Sequence, residues 1–225
     1  MTLKINSRPT NFLFDLDGTL LDTAPDLASA LNRVRAKSNL RPIGFEKIRP
    51  LVSHGSYALS RLGCEFPEQS TEFEQFRLDL LDQYAQNLAL ETRLFEGMDQ
   101  LLLTLENSEV PWGIVTNKPA WLTDPLLSQL ELDRRAAVIV SGDTIAQKKP
   151  HPAPLLLAAE RMRALASQCV YIGDAERDIT GGKAAGMRTI AVRYGYLADG
   201  ESPDSWGADV IVNSASEIID WFLSF

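Results

Sequence analysis

Apolar residues in this chain gather in short runs that recur at intervals and end in turn or polar residues. The runs at 12–15, 110–115, 136–140, 169–172, 189–192 and 209–212 have the length and the aliphatic or aromatic content of buried strands. Between them, at 119–129, 152–162, 176–185 and 215–223, the apolar positions adopt helical spacing. Gly186 supplies a stop for the third of these helices and Ser214 an N-cap for the last. Strands alternating with helices predict an α/β fold, a parallel sheet covered by helices on both faces.

One interval is out of scale. From residue 15 to residue 110 no strong strand is read, where a single crossover needs only about a dozen residues. The segment instead carries helical patterns at 24–37, 56–62 and 70–88, with Pro25 suited to a first helical turn. This predicts an α-helical insertion over 23–90, seated between the first strand and the rest of the sheet, and a returning helix at 98–106. The expected organisation is therefore a core made of 1–22 and 91–225, with a helical cap at 23–90.

Composition narrows the field of functions. The 225 residues are 45% hydrophobic and 23% charged, as in ordinary globular proteins. A net charge of −8 argues against a general nucleic-acid binder, which gains affinity by neutralising phosphates. It leaves room for a small anionic ligand in a locally basic pocket. No apolar run approaches the roughly 18 residues of a membrane span. The first ten residues lack the apolar stretch of a secretory leader. Cys64 and Cys169 form no C-x-x-C pair. A cytoplasmic protein with neither a membrane nor an obligate protein partner is expected.

Ligands of open parallel sheets bind beyond the carboxyl ends of the strands. The first strand ends in Asp15-Leu16-Asp17-Gly18-Thr19, the second in Thr116-Asn117-Lys118, and the fourth in Gly173-Asp174, with Asp178 one helical turn on. Lys148-Lys149-Pro150 follows the third. In extended backbone, positions two apart point the same way, which would turn both Asp15 and Asp17 to the pocket. With Asp174 they form an oxygen-only set that needs a cation, and Mg²⁺ suits it. A carboxylate at such a centre can act as a nucleophile towards phosphorus. Gly18 and Thr19 offer backbone N–H groups to a phosphate, and Lys149 opposes its charge. Each motif alone is weak: an isolated D-x-D is usually a solvated loop, and G-D-x-x-x-D reads equally well as a helix start. Four of them in order, each behind a different strand, carry the argument. No P-loop, dinucleotide fingerprint, serine elbow or H-E-x-x-H is present.

The ordered set FLFDLDGTLLDTAPD, IVTNK, KKPHP and YIGDAERD resembles the haloacid dehalogenase-like phosphatases over nearly the whole chain. The resemblance implies a Rossmann-like core with a helical cap inserted after the first motif. It implies Asp15 as nucleophile and Asp17 as general acid and base, with the Asp17 backbone carbonyl a Mg²⁺ ligand. Thr116 and Asn117 would bind phosphate, Lys149 would steady nucleophile and phosphate, Asp174 would hold the metal, and Asp178 would support it indirectly. The segments RLFEGM, WGIVTNKP and VRYGYLADGESPDSWGADVIV are similar to the phosphoglycolate phosphatase-like group, particularly its branch acting on N-acetylmuramic acid 6-phosphate in cell-wall recycling. The substrate this resemblance implies is thus a small phosphate ester, N-acetylmuramic acid 6-phosphate first, with phosphoglycolate the alternative. The cap loop Val52-Ser53-His54-Gly55-Ser56 is less glycine-rich than that group's pattern. His54 is a candidate substrate contact there; capping of the next helix or solvation is the other reading. A non-enzymatic phospho-acceptor module is the rival from a different class, since it too gathers acids, a Thr and a Lys around one Asp.

Overall fold

The computed structural model describes residues 8–225. The leader expectation reaches into residues 1–7, which lie outside the described residues. Along the chain run β1 (Asn11–Phe14), β2 (Leu21–Asp22), α1 (Ala24–Lys37), α2 (Phe45–Ile48), α3 (Gly55–Gly63), α4 (Thr71–Ala85), β3 (Arg93–Leu94) and α5 (Met98–Asn107). They are followed by β4 (Trp112–Val115), α6 (Ala120–Gln129), β5 (Val138–Val140), α7 (Ala153–Arg161), β6 (Cys169–Gly173), α8 (Glu176–Ala184), β7 (Arg188–Val192), β8 (Val210–Val212) and α9 (Ala215–Leu223).

Six strands form one sheet in the order β5-β4-β1-β6-β7-β8, and every pairing is parallel. β1 lies inside it, with Phe12 opposite Trp112 on one side and Val170 on the other. Successive strand side chains point to opposite faces. Phe12, Phe14 and Ile114 accordingly pack under α5, α6 and α9, whereas Leu13, Val115 and Val140 pack under α7. All six expected strands are present, shifted by one or two residues at their ends. Gly186 has φ +75, the left-handed geometry of a helix stop, and Ser214 accepts from the Glu217 N–H as an N-cap.

The chain leaves the core through β2 and returns through β3, which pair antiparallel with Leu21 opposite Leu94. Between them lie α1 to α4. Leu31 and Val34 of α1 pack with Phe73, Phe76 and Leu80 of α4 in a cluster continuous with Phe12 and Phe14 of the sheet. Ser70, expected inside the third helix, is instead its N-cap and accepts from the Phe73 N–H. A short α2 and a 3₁₀ turn over Arg49–His54 had no clear apolar period in the sequence.

Candidate active site

β1 adjoins β4 on one side and β6 on the other, so the chain order reverses at its carboxyl end. That is the crevice where open α/β sheets place ligands. Asp15 follows β1 directly and is 3% exposed; Asp174 and Asp178 are fully buried. One carboxylate oxygen from each lies within 4.8 Å of the others. The Lys149 ammonium stands among them, 2.7 Å from Asp15 Oδ1, 2.8 Å from Asp178 Oδ1 and 2.7 Å from Tyr171 Oη. An ammonium has three protons, and these partners use all three. Tyr171 is fixed in turn by donating to the Val115 carbonyl at 2.8 Å. Asn117 positions the lysine from its backbone: its side-chain oxygen accepts from Lys149 N at 3.0 Å, and its amide donates to Lys149 O at 3.1 Å.

Asp174 Oδ1 accepts from Thr19 Oγ1 at 3.2 Å, and Oδ2 accepts from Ser53 Oγ at 2.8 Å and Tyr196 N at 2.9 Å. Burial, then the charges of Asp15 and Asp178, push Asp174 up to about 7. Asp15 is pushed up to about 6, chiefly by burial, with Lys149 pulling the other way. The Lys149 ammonium and the neighbouring Arg177 guanidinium leave the three ionised acids with excess negative charge. An all-oxygen, buried, electron-rich donor set of this kind fits a hard divalent cation.

Gly18 makes the close approach possible. Its φ is +85, and a Cβ there would stand 2.1 Å from Asp174 Oδ2. Only glycine accepts both the left-handed backbone and the carboxylate at that distance.

Asp17 departs from the expectation that it would join Asp15 and Asp174. Both Asp15 and Asp17 border the cavity, yet the Asp17 carboxylate lies outside the acidic cluster and Asp178 stands in it. The backbone is not extended here. It turns so that Leu20 and Leu21 N–H groups bond to Leu16 O, and Asp17 Oδ1 meets Thr23 Oγ1 at 2.6 Å and Lys118 Nζ at 2.8 Å. Lys118 keeps its charge more firmly than an ordinary lysine: burial opposes the charge, and Asp17 and Tyr84 together more than offset it.

The cavity beside these groups measures about 510 Å³. Thr116 borders it, its hydroxyl accepting from the Lys118 N–H. His54 borders it too, at the N-cap position of α3; no side-chain bond caps that helix, and the imidazole Nε2 faces Glu201 Oε1 at 3.4 Å. His151 accepts from the Ala153 N–H and serves the start of α7. Three contributors went unassigned in the sequence. Lys118 stood in the second motif without a role. Arg177 borders the cavity one residue before Asp178; burial works against its charge, and Asp178, Asp15 and Asp174 outweigh burial. Arg49 donates to the Tyr194 and Gly195 carbonyls, each at 3.0 Å, joining the inserted segment to the loop after β7. No sequence signal marks Arg49, because its partners are backbone atoms far along the chain.

Residues 12–192 match the family model described as haloacid dehalogenase-like hydrolase. The chain belongs to that family. A phosphoglycolate phosphatase of Xanthomonas campestris pv. campestris is 42% identical over 210 residues, which cover 93% of this chain and 95% of the relative. An N-acetylmuramic acid 6-phosphate phosphatase of Pseudomonas aeruginosa is 40% identical over 92% of each chain. The crystal structure of a predicted phosphoglycolate phosphatase from Haemophilus somnus 129pt superposes with a TM-score of 0.85 at 26% identity, covering 96% of this chain and 99% of the other. The family and these relatives make the protein a hydrolase and a phosphatase, so the phospho-acceptor reading without turnover is set aside.

Proposed function

We propose that this phosphatase is Mg²⁺-dependent, works through an aspartyl-phosphate, and acts on N-acetylmuramic acid 6-phosphate. The observation that carries the chemistry is the Lys149 ammonium shared by Asp15 and Asp178 beside Asp174, at the carboxyl end of β1 and open to a cavity. In this reading 1–22 and 91–225 form the catalytic core and 23–90 the cap.

Asp15 attacks phosphorus; its new P–O bond forms as the ester P–O bond breaks. Lys149 and Asn117 hold Asp15 and the strand-end loop in place, with the Thr116 hydroxyl donating to a phosphate oxygen; the Gly18 N–H, expected to do the same, is instead bonded to the Leu21 carbonyl at 3.0 Å. Asp17 gives its proton to the departing alkoxide. Both of its present bonds fall on Oδ1, which leaves Oδ2 without a protein partner among the described residues. Asp17 then takes a proton from a water molecule whose oxygen attacks phosphorus, and Asp15 leaves as inorganic phosphate forms. Asp15 and Asp174 would hold the Mg²⁺, with the Asp17 carbonyl, and Asp178 would support them through Lys149. Bound there, the cation would favour the ionised carboxylates and offset charge on the phosphoryl group. Ser53 and His54 of the cap close over the rim and limit water.

Substrate choice rests on size and lining. A volume of about 510 Å³ bordered by Leu27, Leu81 and Leu122 suits an acylated sugar better than a two-carbon acid. The relatives' names divide between the two esters, and the similarity to the phosphoglycolate phosphatase of Xanthomonas campestris keeps that ester as the second reading. Two buried, unpaired cysteines suit a cytoplasmic setting. The test is kcat/KM for the two esters at matched Mg²⁺. The amino-sugar ester is expected to win by at least about tenfold, or about 1.4 kcal/mol of transition-state discrimination. Asp15→Asn should abolish phosphate release from both. A tenfold preference for phosphoglycolate reverses the assignment, and an active Asp15→Asn enzyme removes the mechanism.

A further inference from the structure

Arg77, Leu81 and Tyr84 stand four and then three residues apart on α4, and all three border the cavity. Residues at this spacing share one helix face. Tyr84 is 1% exposed, yet its hydroxyl proton has no acceptor among the described residues. The Lys118 ammonium lies 4.6 Å from the centre of the Tyr84 ring and interacts with the phenol oxygen. An ammonium only donates, so it offers the phenol proton nothing to bond to. Burial pushes the phenol up to about 12, which keeps that proton in place at neutral pH. A buried donor without an acceptor is costly, and native proteins seldom leave one unexplained.

The position of the orphan donor says which acceptor is missing. Lys118 also bonds Asp17 at 2.8 Å, the residue assigned above to the ester oxygen of the leaving group. Tyr84 stands beside Lys118 on α4 of the inserted helices and is not part of the acidic cluster of Asp15, Asp174 and Asp178. An acceptor reaching it therefore belongs to the leaving group, a short step beyond the ester oxygen, and not to the phosphoryl group.

We propose that Tyr84 is a specificity-determining residue: its hydroxyl donates to an oxygen on the carbon next to the ester-bearing carbon. This rests on the phosphatase reading of the cavity and deepens it. A carboxylate, a hydroxyl and a ring oxygen all supply such an acceptor. A site built to bond that oxygen rejects an ester lacking it, because the donor is then left unpaired.

The test compares wild type with Tyr84→Phe, which keeps the ring beneath Lys118 and removes only the oxygen. The readout is the ratio of kcat/KM for 2-hydroxyethyl phosphate to that for ethyl phosphate, which differ by the oxygen in question. Phosphoglycolate and N-acetylmuramic acid 6-phosphate are run against ethyl phosphate as further arms, to tell a carboxylate acceptor from a sugar oxygen. The ratio is expected to fall about tenfold in at least one arm, the size of a single hydrogen bond to a polar or charged acceptor. The unliganded variant should melt close to wild type, since the hydroxyl proton has no acceptor to lose and Lys118 keeps its bond to Asp17. An unchanged ratio in all arms, or a lowered melting temperature with equal losses on every ester, overturns the proposal while leaving the phosphatase reading intact. A wild-type enzyme that turns over none of these esters removes both.

Discussion

Lys149 shows how much of the site one side chain organises. It neutralises one charge among three buried acids, and burial, followed by repulsion from Asp15 and Asp178, keeps Asp174 at about 7 against an ordinary 3.8. An acid whose folded value is raised holds a proton that the unfolded chain has already lost. Its stabilising contribution is complete below 3.8 and is lost as pH rises through about 7. Asp174→Asn removes that pH-dependent term. In EDTA, the melting temperature of the variant minus that of wild type should therefore increase across this window, by up to about 1.4 kcal/mol of stability for each pH unit crossed. Thermal melts at matched ionic strength check it, and a difference that stays flat or falls with pH contradicts the charge balance. The sequence made Asp15, Asp174 and Lys149 legible because each follows a strand end. It misplaced Asp17 and understated Asp178, because the rule for positions two apart assumes extended backbone. Here β1 ends at Phe14 and the chain turns from Leu16, before Asp17 is reached.

Secondary structure was readable wherever apolar spacing was regular, as in α1, α4 and the six sheet strands. The neck joining the inserted helices to the core was not. β2 and β3 have two residues each, too few to show a period. Asp26, in the first turn of α1, looks in sequence like an ordinary helix-start acid. In the fold it is 3% exposed and binds the returning chain, accepting from Thr92 N at 2.9 Å, Thr92 Oγ1 at 2.7 Å and Glu91 N at 3.0 Å. Partners so distant in the chain leave no local signature. Asp26→Ala would strip the acceptor from two donors of the fully buried Thr92, costing about 2 kcal/mol. At this chain length that corresponds to a melting temperature about 4–8 °C lower. Calorimetry checks the shift. A change under 1 °C, about the effect of a neutral surface substitution, would mean that the neck is held by β2–β3 pairing alone.

The largest-scale consequence concerns whether the inserted helices and the sheet domain unfold together. Composition and strand–helix alternation foretold an α/β molecule with a helical insertion, and the six-stranded parallel sheet agrees. They said nothing of how the two parts share their interiors, since packing between distant segments depends on side-chain fit. The buried cluster is continuous from Phe12 and Leu20 through Leu31 to Phe76 and Leu80, so the insertion has no core of its own apart from the sheet's. Arg49 adds a polar tie to the loop after β7, with its guanidinium 4.9 Å from the centre of the Tyr196 ring. A shared core predicts one cooperative transition, although chains above about 150 residues often depart from two-state behaviour. The residues distinguish the outcomes. All four tryptophans, Trp112, Trp121, Trp206 and Trp221, lie outside 23–90, whereas α1 and α4 are the two longest helices. Tryptophan fluorescence thus follows the sheet domain, and far-ultraviolet circular dichroism weighs the inserted helices heavily. Urea titrations read by both signals should give coincident midpoints. A loss of helical signal ahead of the fluorescence change would show the insertion melting alone and would overturn the single-core account.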